Sequence, residues 1–65
     1  MENLSIYEVW EVTPYYRNLY YYGSWDDCMV YCLNAINNGE DVSRWVVYEM
    51  GNPMSGFDVS DLLDS

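Results

Sequence analysis

SWDDCMVYCLNAINNG, residues 24–39, is the stretch that decides the fold. Ser24 offers a side-chain oxygen to the unpaired amides that open a helix, and Asp26 and Asp27 set negative charge against its positive end. Asp27 stands where a capping box would carry Glu or Gln, so the serine hydroxyl is the cap that matters. Trp25, Cys28, Met29, Cys32, Leu33 and Ile36 recur at three- and four-residue spacing. That recurrence predicts an amphipathic helix from Trp25 to about Asn37, with those residues as its buried stripe. Gly39 supplies the left-handed residue that ends it. Asp26, Asp27, Asn34, Asn37 and Asn38 mark the opposite side, and Val30 and Tyr31 read as exposed or flanking.

Upstream, residues 4–13 (LSIYEVWEVT) alternate and are rich in β-branched and aromatic types, which predicts a strand ended by Pro14. Residues 14–18 form a turn, and residues 19–22 (LYYY) form a second strand, antiparallel to the first, stopped by Gly23. Both faces of the first strand mix apolar groups with a carboxylate, so its inward face stays open. Downstream, residues 42–50 predict a third strand. Val46, Tyr48 and Met50 give it a purely apolar face, expected to meet the helix, while Trp45, Val47 and Glu49 form a mixed one. Gly51, Asn52 and Pro53 end this strand. The fold class expected is therefore α+β: a three-stranded antiparallel sheet with one helix on one face, in the order ββαβ. Residues 1–52 make the single domain, and residues 53–65 make an acidic C-terminal tail, packed on the domain or forming a short helix. A sheet has two faces, so some aromatic residues must lie on the side away from the helix, to be covered by the tail, a second copy or a partner.

A chain of 65 residues builds one hydrophobic core. Its charge is unusual: eleven Asp and Glu oppose two Arg, with no Lys or His, for a formal net charge of −9, beside three Trp and eight Tyr. An acidic disordered tail lacks such aromatics, so the composition predicts a folded body with an acidic, aromatic surface. Without His or Lys, the usual general bases, Schiff-base amines and activated nucleophiles are missing, and no enzyme activity is expected. Cys28 and Cys32 cannot complete a four-ligand zinc site and read as buried free thiols. Asp58, Asp61 and Asp64 lack the spacing of a calcium loop, so no cofactor or metal is expected. Two arginines are too few for phosphate contacts, which excludes direct nucleic-acid binding. With no apolar run long enough to span a bilayer and no signal-peptide pattern, the expected site of action is intracellular and reducing.

Charge of this sign invites a basic partner. Carboxylates on turns and helix ends, Asp26, Asp27, Glu40, Asp41, Asp58, Asp61 and Asp64, can occupy a groove that otherwise holds phosphates. Tyrosine is favoured at interface hot spots, which adds Tyr15, Tyr16, Tyr20, Tyr22 and Tyr31, with Trp45 from the mixed face of the third strand. The expected partner is the basic surface of a nucleic-acid-binding protein or complex.

This layout over residues 5–50, together with the charge, resembles a class of very small acidic inhibitors encoded by bacteriophages and mobile elements. The class includes anti-CRISPR proteins, inhibitors of restriction and of uracil-DNA glycosylase, and inhibitors of host RNA polymerase, one of which is similar in its ββαβ order. The resemblance implies blockade of a host nucleoprotein machine in the cytoplasm of a bacterial host. The alternative is an assembly module or homodimer whose open aromatic sheet face is buried by a permanent partner.

Overall fold

The computed structural model describes residues 5–64, with the backbone alone for Asp64. Strands β1 (Tyr7–Val12) and β2 (Arg17–Gly23) form an antiparallel hairpin, helix α1 (Trp25–Asn37) follows, and β3 (Trp45–Glu49) returns to pair antiparallel with β1. Strand β4 (Asn52–Asp58) pairs with β3, and a 3₁₀ helix spans Val59–Asp64. The sheet order is β2-β1-β3-β4. One helix on an antiparallel sheet is the α+β class predicted, but with four strands in place of three. The expected start of the first strand, at residue 4, lies outside the described residues.

The fourth strand corrects the reading of residues 53–58 as tail, and its breakers have specific uses. Gly51 takes φ 80°, which permits the tight turn between the paired residues Glu49 and Asn52. Pro53 lies on an edge strand, where a missing N–H costs little. At Gly56 an added Cβ would lie 3.2 Å from both the Tyr48 ring and the Val46 side chain, so glycine lets that ring lie against β4. The ladder is irregular between Val47 and Glu49. There Ser55 Oγ accepts the Glu49 N–H at 2.7 Å and donates to the Asn52 carbonyl at 2.8 Å.

Helix α1 matches its predicted span. Ser24 Oγ accepts the Asp27 N–H at 3.1 Å, and Asp26 and Asp27 occupy the first turn. At the other end Gly39, at φ 81°, donates to the Ile36 carbonyl, and Glu40 donates to that of Ala35, each at 3.0 Å. This pair of bonds is a Schellman cap. The buried line is Cys28, Cys32 and Ala35, rotated from the predicted stripe: Trp25 and Leu33 are partly exposed, and Tyr31 is half-buried. The rotation follows from two sheet aromatics. Tyr31 stacks on Tyr21 with centroids 4.8 Å apart and lies 6.0 Å from Trp45, which draws that side of the helix onto the sheet.

The inward face of β3 also differs from expectation. Trp45 and Val47 belong to the core, whereas Val46 and Tyr48 point to the side away from the helix and Met50 is exposed. Counting apolar residues per face favours the Val46 face because Glu49 spoils the other. Glu49, however, stands at the strand end, half-buried, and accepts the Ser5 hydroxyl at 3.1 Å, so its carboxylate does not enter the core. Register then assigns Tyr7, Val9 and Glu11 of β1 to the helix side, opposite Glu49, Val47 and Trp45.

Small side chains fill the centre: Val9, Cys28, Cys32, Ala35, Val42, Val47 and Val59 are buried there with Trp45. Aromatics flank them. Trp25 meets Tyr7 and Phe57 edge-on at 5.2 and 5.5 Å, and Tyr20 tilts against Trp45 at 5.0 Å. A helix carrying Cys and Ala on its inner line can approach the sheet closely, and the smallest extent of the molecule, 19 Å, fits two layers.

Candidate interaction surfaces

The β1–β2 hairpin presents the tyrosine cluster. Thr13 Oγ1 accepts the N–H groups of Tyr15 and Tyr16 at 3.2 and 3.0 Å, which folds the turn and leaves Tyr15 at its tip, 93% exposed. Between Val9 and Trp10 the pairing slips: Val9 faces Tyr21 but Trp10 faces Leu19, so Tyr20 is an extra residue in β2. This bulge sorts the tyrosines. Tyr20 and Tyr21 both reach toward the helix side, against Trp45 and Tyr31, while Leu19 and Tyr22 are left on the opposite side. A shallow groove of about 410 Å³ over this strand is lined by Leu19, Tyr20, Tyr21 and Tyr22.

Glu11 anchors the hairpin from below. It accepts the Tyr20 hydroxyl at 2.5 Å and the Tyr16 hydroxyl at 3.3 Å. The bond to Glu11 pushes the Tyr20 phenol up to about 12, so Tyr20 stays a neutral hydrogen-bond donor. Asp26 and Asp27 lie at the start of α1, Glu40 and Asp41 follow its end, Asp58 closes β4 and Asp61 lies on the 3₁₀ helix, all exposed. Asp41 accepts the Ser43 N–H at 3.0 Å, and that bond holds its carboxyl below the usual range. No charged side chain is buried among the described residues. The charge is therefore displayed at the surface, where it produces an outward negative field.

The sheet face away from the helix carries different chemistry. Cross-strand pairing assigns it Glu8, Trp10, Leu19, Tyr22, Val46, Tyr48 and, on β4, Asp58. Trp10 Nε1 donates to Glu8 at 3.1 Å, and the Arg17 guanidinium lies 5.2 Å from the Trp10 ring centre and 6.0 Å from that of Tyr48. Arg17 thus covers part of the face with its stem and holds its charge over two rings. Tyr22 remains 64% exposed.

Of the residues singled out in the sequence, Tyr15, Tyr16, Tyr20 and Tyr22 gather on the hairpin, and Glu40 and Asp41 lie toward the hairpin-turn end, where Val12 donates to the Arg44 carbonyl. Asp26 and Asp27 lie at the other end, beside Gly23. Asp58 pairs with Val46, and Asp61 stands apart on the 3₁₀ helix. Trp45 is core, 5% exposed, and so is not a surface feature, while Tyr31 stacks beside it half-buried. The Asp64 side chain lies outside the described residues. Trp10, Arg17, Leu19, Val46 and Tyr48 were not among the residues singled out. Their signal was the single cation in a tyrosine-rich hairpin, which becomes meaningful once Arg17 is seen to pair with Val12 beside Trp10.

Among the described residues no group of three or more Cys, Asp or Glu is placed to hold a metal ion, and no helix is long and apolar enough to cross a membrane. No protein-family model matches the chain, and no curated protein or solved structure is significantly similar to it.

Proposed function

We propose that this chain is a small acidic binding protein that inhibits a nucleic-acid-handling host machine, of the anti-defence, anti-CRISPR-like kind, by docking on its basic surface. The observation that carries the reading is the surface display of carboxylates at both ends of α1, together with hydroxyl-bearing tyrosines on the projecting hairpin. Carboxylates at turns and helix termini present oxygen acceptors to Arg and Lys as phosphates do. Tyr15, Tyr16 and Tyr22 add rigid, amphipathic contact area beside them. The resemblance in charge, size and layout to phage-encoded inhibitors supports the same conclusion by likeness alone.

The test is capture of targets from a bacterial lysate by the immobilised chain, first in dilute salt and then in about 0.5 M NaCl, where charges more than a few ångströms apart are screened. A nucleic-acid-binding protein held in dilute salt and released by high salt is the expected result. Capture of none at either salt removes the proposal. For the target identified, the variant Asp26→Asn, Asp27→Asn, Glu40→Gln, Asp41→Asn keeps one acceptor oxygen at each position, turns the other into a donor and removes four charges. With the charge attraction removed, its affinity in dilute salt should fall at least tenfold, and the difference from the unaltered chain should shrink in about 0.5 M NaCl.

A further inference from the structure

We propose that the open sheet face is closed by a second copy of this chain, packed sheet on sheet about a two-fold axis near Trp10. This goes beyond the proposed inhibition and stands independently of it. The face carries Trp10, Leu19, Tyr22, Val46 and Tyr48, with Arg17 lying over two of the rings. Trp, Tyr and Arg are the side chains most enriched at interface hot spots.

Charge decides the occupant. On this face Glu8, Trp10 and Arg17 form a row, Glu8 bonded to the indole N–H and the guanidinium over the indole ring. A two-fold axis through the middle of such a row sets Arg17 of each copy against Glu8 of the other, which is the self-complementarity an isologous interface requires. Glu11 and Glu49 lie on the helix side of the sheet, Asp26 and Asp27 on α1, and Glu40 and Asp41 in the turn that follows it. Stacking by the open faces therefore holds most of the carboxylates of the two copies apart, two layers of protein between them. The open face carries Glu8 in its centre row and Asp58 at its β4 edge against the single Arg17, so a basic partner is drawn chiefly to the carboxylates of the other side.

Geometry favours face over edge. Strand β2 is bulged at Tyr20, and β4 carries Pro53 and a broken register, both of which oppose strand addition. Four strands at about 4.8 Å spacing and about six residues at 3.3 Å give a footprint of about 400 Å², so two copies bury about 800 Å². That is the size of a weak, transient interface, so the dimer is expected to be reversible and to form only at high protein concentration.

Sedimentation equilibrium up to about 0.5 mM, in dilute buffer and in about 0.5 M NaCl to screen the net repulsion, tests this. A monomer–dimer equilibrium is expected, with Tyr22→Lys weakening it at least tenfold while the circular dichroism spectrum is unchanged. Arg17→Glu should also weaken it at least tenfold, and the double variant Glu8→Arg, Arg17→Glu should recover most of the loss. A monomer throughout in both salts overturns the proposal, as does a dimer indifferent to Tyr22→Lys and to Arg17→Glu. None of these readouts involves a host target, so failure here is distinguishable from failure of the inhibitor reading.

Discussion

At the scale of single residues, one hydroxyl sets where the helix begins. Ser24 satisfies the Asp27 amide, and alanine there leaves that amide to water and removes the preference for a helix start. Ser24→Ala is expected to cost about 1 kcal/mol, which in a domain of this size lowers the melting temperature by roughly 5 °C. Tyr20 offers a second test. Its phenol is pushed up to about 12, first by its bond to Glu11, so in ultraviolet titration one tyrosine should ionise later than the rest. Glu11→Gln should return it toward the ordinary 10.0. Because the folded state holds this proton more tightly, the associated stability is complete below pH 10 and is lost as pH rises toward 12.

At the scale of elements, α1 and β4 depend on buried side chains that turn no surface to solvent. Cys28 and Cys32 face the sheet, both fully buried, and desolvation pushes the Cys32 thiol up to about 11 and raises that of Cys28. An aromatic disulfide reagent at pH 8 should therefore label neither thiol in the folded protein, and both at the rate of unfolding in denaturant. Fast labelling without denaturant would show that α1 opens independently of the sheet. Val59, the first residue after β4, is fully buried in the same core. Val59→Ala removes two methyl groups from that core and should destabilise the fold by about 2 kcal/mol, measured by urea unfolding. A residue in a detached tail would give no change.

At the scale of the whole molecule, a net charge of −9 is spread over 65 residues whose largest extent is 39 Å. Much of the self-repulsion acts over distances beyond the screening length of concentrated salt. Raising NaCl from dilute buffer to about 0.5 M should therefore stabilise the fold by about 1 kcal/mol, seen as a rise of roughly 5 °C in melting temperature. A flat response would mean that the carboxylates are too well hydrated for their repulsion to matter. The two layers also divide the chemistry: the helix side and the chain turns carry most of the carboxylates, and the far sheet face carries Trp10, Tyr22, Tyr48 and Arg17.

By itself the sequence determined the helix, its cap and its end, because Ser24, the three- and four-residue spacing and Gly39 act within a few residues of one another. It likewise determined the hairpin, through Pro14 and Gly23, and the acidic excess. Only the tertiary structure decided which way β3 faces, since Glu49 is tolerated inward at a strand end that Ser5 can reach. It alone revealed β4, where Gly56 reads as a breaker until the Tyr48 ring is seen against it. The division of Tyr20, Tyr21 and Tyr22 between two faces also depended on it. One extra residue opposite Val9 and Trp10 reverses every assignment beyond it, and a bulge is a property of the pairing between strands, not of either strand alone.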